Sequence, residues 1–128
     1  MRHIEAKGDH GSAGYSQAIE VSASGRRLII AGQVGVDADG KLPEDLAGQT
    51  RACFRNIFDL LEAADMAPAN LVRHVVYATA SDKETLKTYR VVRDEMMAGH
   101  QMTATFVGVK ALAHPRLLIE IEAEAVAE

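Results

Sequence analysis

The chain has 128 residues, 48% of them hydrophobic and 25% charged, with a formal charge of −4. That length fits one domain, residues 1–128, with a core that needs no disulfide or metal staple, and the balance excludes disorder and low complexity. The acidic excess argues against general nucleic-acid affinity. The lone Cys53 rules out an internal disulfide, and no apolar run of signal-peptide or membrane-spanning type occurs, so the expectation is a cytoplasmic protein with no nucleic-acid or membrane partner.

Two extended runs, Gln17–Val21 and Arg27–Gly32, flank Ala23-Ser24-Gly25 and predict a hairpin turned at Gly25. After a second turn signal at Asp37-Ala38-Asp39-Gly40, the residues Leu46, Cys53, Phe54, Ile57, Leu60, Leu61 and Ala64 recur at helical spacing. They predict a helix from Glu44 to Asp65, stopped before Pro68. Val72–Thr79 is β-branched and half alternating, a central strand. Ser81-Asp82-Lys83-Glu84 has capping-box spacing with Ser81 as the cap, and the helix it opens carries Leu86, Tyr89, Val92, Met96 and Met97 as an apolar stripe. Strands at Thr103–Val109 and Arg116–Val126 complete the order ββαβαββ, an α+β fold. Right-handed crossovers put both helices on one face of the sheet. If the apolar positions of the other face are contiguous, a symmetric oligomer packs sheet against sheet there, which makes subunit boundaries candidate ligand sites.

The last strand has the most pointed pattern. In Ile119-Glu120-Ile121-Glu122-Ala123-Glu124 the side chains alternate, so Ile119, Ile121 and Ala123 share one face and the three carboxylates the other. Three like charges in a row repel, and a cleft, cation or ligand facing one of them explains the row better than solvent alone. An exposed sheet face that simply tolerates glutamate is the plainer alternative.

Three segments in order, Gly14-Tyr15-Ser16-Gln17-Ala18, Ile30-Ala31-Gly32-Gln33-Val34 and Ile119-Glu120-Ile121-Glu122-Ala123, resemble the YjgF/RidA family, and the likeness continues through Asn56, Leu61, Glu62, Ala63 and Ala64. The resemblance implies a chorismate-mutase-like fold, a homotrimer with sheets lining a central barrel, and ligand clefts between subunits. It further implies hydrolysis of small imines or enamines, or of a related C–N bond, releasing ammonia, with no cofactor and no metal. By the same resemblance Glu120 is the catalytic carboxylate that handles a bound water, Tyr15 contacts the ligand, and Ala31 and Gly32 offer backbone donors.

The chain departs from the family at one point. Aligning Val107-Gly108-Val109 with the family strand sets Met102-Thr103-Ala104-Thr105 over the segment that carries a carboxylate-clamping arginine, so Ala104 stands in its place and Phe106 makes the wall more apolar. The resemblance therefore implies an altered substrate preference, with a non-catalytic ligand-binding or regulatory trimer as the alternative. Arg90 falls where the family commonly has asparagine and can reach an anionic ligand from the opposite wall; plain solvation of an exposed helical charge is its other reading. His100 and Arg93 are candidates of the same kind. His3, His10, His74, His100 and His114 show no metal-ligand spacing, and His74, on a strand, reads as structural.

Overall fold

The computed structural model describes residues 1–4, 14–16 and 18–128. Among these residues six strands, β1 (Arg2–Ile4), β2 (Ala18–Glu20), β3 (Arg26–Val34), β4 (Leu71–Ala78), β5 (Thr103–Gly108) and β6 (Ile119–Ala127), accompany two α-helices, α1 (Leu46–Ala63) and α2 (Lys83–Met97). The main sheet has the order β3-β6-β4-β5, mixed in direction: β6 runs antiparallel to both neighbours, while β4 and β5 are parallel. The helices pack against that sheet, an α+β arrangement of the expected kind.

The predicted hairpin is not formed. Ala18–Glu20 of the first run pairs with β1 instead, and β3 pairs with β6 on both sides of a register shift; Gln17 lies outside the described residues. Gly25 does take a left-handed conformation, φ 99°, but it turns the chain against the Ala127 backbone rather than between paired strands. The physical reason is partner length: nine-residue β6 lets β3 bury Ile30 beside Ala123, which a short local hairpin cannot do. The expected capping box at Ser81 is also absent. The cap is Asp82, whose carboxylate takes the Thr85 hydroxyl, an exchange that holds the Asp82 carboxyl below its usual range. At α1, Asp45 caps by accepting the Gly48 N–H at 3.1 Å, one residue inside the predicted start.

The core joins Cys53, Phe54, Ile57 and Leu61 of α1 and Tyr89 and Met97 of α2 to Ile30, Leu71, Val76, Ile119, Ile121, Ala123 and Ala125 of the sheet. Period two on β6 and the helical stripes thus meet between the layers, as their spacing requires. The opposite sheet face carries Glu120, Glu122 and Glu124 beside Arg27, Arg73 and Tyr77, with Ile29 70% exposed among them. It is a mixed polar and apolar surface rather than a continuous apolar one.

Candidate functional site

Glu120 sits on β6, an inner strand of the sheet, flanked in register by Val34 of β3 and Tyr77 of β4. Next to it the β3 register slips between Ile30 and Gln33, so Ala31 and Gly32 have no paired residue on β6. Gly32 is there because the carboxylate needs the space: a Cβ at this position would stand 2.5 Å from Glu120 Oε2. The Ala31 carbonyl, in turn, accepts Gln33 Nε2 at 3.0 Å.

The three glutamates of the row differ in their partners. Glu124 is held by Arg27 at 2.8 Å and by Arg73 at 3.7 Å, and Glu122 accepts the Tyr77 hydroxyl. That bond pushes the Tyr77 phenol upward. Among the described residues Glu120 makes no hydrogen bond or ion pair, which leaves its carboxylate available to a ligand.

The other predicted contacts gather elsewhere. Tyr15, Arg90, Ala104 and Phe106 line one cavity of about 370 Å³, shared with Ser81, Leu86, Tyr89 and Arg93, between β5 and α2. The Tyr15 segment is pinned there by the Ser16 N–H, which donates to the Met102 carbonyl at 3.0 Å. Ala104 and Phe106 pair in register with His74 and Val76, residues that face the helices, whereas Glu120 pairs with Tyr77 on the opposite face. The predicted residues therefore form two groups: Glu120 with Ala31 and Gly32, and Tyr15 with Arg90, Ala104 and Phe106.

Behind the cavity lies a buried polar chain that spacing alone did not single out. His74 Nδ1 is 3.0 Å from the Thr103 carbonyl, so that nitrogen carries the proton and Nε2 accepts the Tyr89 hydroxyl. Burial, assisted by the Arg93 charge, lowers the His74 pKa to about 4, so the ring is neutral; burial likewise raises the Tyr89 phenol to about 12. Arg93 is only 3% exposed, stacks 5.5 Å from the Tyr89 ring centroid and donates from Nε to Asp94 Oδ1 at 3.0 Å. Gly14, at φ 80°, packs against its guanidinium so closely that a Cβ would collide with Nη2. The signal was present: Arg93 lies on the same helical stripe as Leu86, Tyr89 and Met97, and a charge on a buried stripe marks a fixed cation.

His100 Nε2 donates to the Leu71 carbonyl, 2.7 Å away, and lies outside the cavity lining; His10 falls outside the described residues. No group of three or more His, Cys, Asp or Glu among the described residues is placed to hold a metal, and no helix of the described residues is long and apolar enough to cross a membrane.

Comparison with known proteins settles the relationship. The model of the family described as Endoribonuclease L-PSP matches residues 9–127. A RutC family protein of Aquifex aeolicus is 35% identical over 117 residues, 88% of this chain and 86% of that protein. The chain belongs to the Rid (YjgF/RidA) family. Among solved structures, the Rid protein YyfB of Yersinia pestis, described as of unknown function, superposes with a TM-score of 0.89 at 36% identity over 98% of both chains. The YjgF gene product of E. coli gives 0.74 at 27% identity, covering 89% of this chain and 88% of that one. The Rid fold expected from the three short segments is thus the fold observed.

Proposed function

We propose that this Rid-family chain is a small-metabolite hydrolase that acts on imines, enamines or a related C–N bond and releases ammonia, in clefts between the subunits of a homotrimer. The observation that carries the reading is the Glu120 carboxylate, without a hydrogen bond or ion pair among the described residues, against Gly32 on the sheet face that the helices leave uncovered. Glu120 accepts a proton from a water as that water attacks the carbon of the protonated C=N group, giving a neutral tetrahedral amino alcohol. Return of the proton to nitrogen lets the C–N bond break, so imine and water become carbonyl compound and ammonia. The Tyr15, Arg90, Ala104 and Phe106 cavity supplies the rest of the binding surface from a neighbouring copy. A small-molecule ligand is the partner implied; a nuclease activity, which the family description names, is not favoured by a formal charge of −4.

Ala104 supports a second reading, a trimer that binds a ligand without turning it over, because a methyl group holds no substrate carboxylate. A mass-spectrometric screen of imines, enamines and related amides, run beside Glu120→Gln, separates the two. Glu120-dependent ammonia release supports the hydrolase; ligand binding with no turnover by the wild-type protein selects the binding trimer.

A further inference from the structure

A second cavity, of about 350 Å³, opens where β3 ends and the chain turns into β6, lined by Val34, Val36, Leu42, His114, Arg116 and Leu117. Two amide side chains of α1 build it. Gln49, only 1% exposed, accepts the Leu118 N–H at Oε1, 2.9 Å away, and donates from Nε2 to the Pro43 carbonyl at 2.9 Å and the Arg116 carbonyl at 3.1 Å. One buried side chain thus ties the Leu42–Pro43 segment to the Arg116–Leu118 segment. Seven positions later, on the same face of the helix, Asn56 Nδ2 donates to the Val34 and Val36 carbonyls at 3.0 and 2.9 Å and fixes the end of β3. Gly35 between them lies so close to α1 that a Cβ would stand 2.7 Å from Gln49 Cα. The last wall is braced by its own turn, in which His114 Nδ1 accepts the Arg116 N–H at 3.2 Å and the His114 carbonyl accepts the Leu117 N–H at 3.0 Å. Walls fixed in this way need little ordering to take up a ligand.

The place of this cavity beside Glu120 gives it a role. Val34 is the register partner of Glu120, so the two side chains share one face of the sheet with Cβ atoms about 5 Å apart. The cavity therefore begins one side chain away from the carboxylate, on the same copy of the chain. Its apolar lining is wholly aliphatic, from Val34, Val36, Leu42 and Leu117, and it contains no carboxylate. Its polar members, His114 and Arg116, are exposed and form the rim, where the guanidinium sets a positive charge. We propose that this cavity is the side-chain pocket of the Glu120 site: it receives an aliphatic group attached to the C=N carbon, and Arg116 turns cationic side chains away. The substrate class is then an imine or enamine with an uncharged aliphatic side chain of several carbons, an assignment that rests on Glu120 being the hydrolytic carboxylate proposed above.

Imines generated in the assay from leucine, alanine and lysine by an amino acid oxidase, with ammonia release by the full-length protein measured above the spontaneous rate, test the assignment. The leucine-derived imine has a kcat/KM at least about tenfold above the alanine-derived one and at least about tenfold above the lysine-derived one. Val36→Trp, which fills the cavity from its exposed side, brings the leucine-to-alanine ratio within about threefold of one, and Arg116→Gln raises the lysine-to-leucine ratio about threefold or more. These ratios do not move with partial misfolding, which lowers every rate alike. A second readout needs no turnover: 4-methylpentanamide, a neutral probe, titrated into wild-type protein carrying ¹³C-labelled valine and leucine methyl groups, shifts the Val34, Val36 and Leu42 resonances. No leucine preference over alanine, a wild-type ratio in either variant, a preference for lysine, or unmoved methyl signals overturns the assignment. The hydrolase reading fails separately. Methyl shifts at Val36 and Leu42 in a protein that turns over none of the imines sink the hydrolase and keep the pocket; equal turnover of all three imines does the reverse.

Discussion

Glu120 and Phe106 point to opposite sides of one sheet, since their β4 register partners, Tyr77 and Val76, are consecutive residues. No rotamer change brings the two side chains to one ligand. A site that uses both must take them from different copies of the chain, which ties the proposed chemistry to the proposed trimer. Light scattering on a size-exclusion column tests the trimer directly, and a monomer at micromolar concentration rules out the shared cleft. A mixing experiment tests the sharing itself. Glu120→Gln and the cavity-filling Ala104→Trp are each inactive alone; refolded together in equal amounts they recover about a quarter of wild-type activity, because that fraction of clefts draws both intact halves.

The carboxylate row predicts three different variants. Glu120→Gln lowers turnover roughly 10²–10⁴-fold with little change in Tm, because it removes a proton acceptor that makes no hydrogen bond or ion pair among the described residues. Glu124→Gln loses the Arg27 and Arg73 pairs, both partly exposed, and costs about 1 kcal/mol or less of stability while leaving turnover intact. Glu122→Gln keeps an acceptor for Tyr77 and stays active. Equal losses of turnover across the three assign the row a structural role.

Gly32→Ala gives a sharper steric test. The added methyl meets the far end of the Glu120 side chain, which swings away, so the protein folds with a nearly unchanged Tm while turnover falls about tenfold or more. A fully active Gly32→Ala enzyme means that the position of this carboxylate is unimportant.

Buried His74 makes stability depend on pH. Its pKa is about 4 in the fold against 6.5 for the free side chain, so as pH falls the unfolded chain takes up the proton first. The His74 contribution is therefore complete above the unfolded value and declines as pH drops toward the folded one. Between about pH 7 and about pH 5 the loss is about 2 kcal/mol, at roughly 1.4 kcal/mol per unit. Denaturant unfolding at the two pH values measures it, and the slope flattens in His74→Gln; an equal slope in that variant assigns the effect to other groups.

Much of this was legible in the sequence because it depends on local periodicity. The stripes of α1 and α2 and the alternation of Ile119 to Glu124 each fix which side of an element faces the core. What escaped depends on partners distant in the chain. The Ala23–Gly25 turn is a true local bend, yet β3 finds its partner nearly a hundred residues later in β6. Nothing near Glu120 in sequence tells that Glu122 and Glu124 are engaged and it is not, since Tyr77, Arg27 and Arg73 come from other strands. Arg90 and Arg93 are both plausible on a helix wheel; only the packing of α2 on β5 buries one and exposes the other.

Cys53, fully buried with its thiol toward the Ile119 carbonyl 3.9 Å away, is pushed up to about 12 by burial and by the nearby Glu120 charge. As a neutral thiol beneath the strand that carries Glu120, it is closed to alkylating reagents in the native protein. Since the chain has no other cysteine, the rate of its modification times the opening of α1 from β6, giving each variant at this site an internal clock for how often the sheet and helix part.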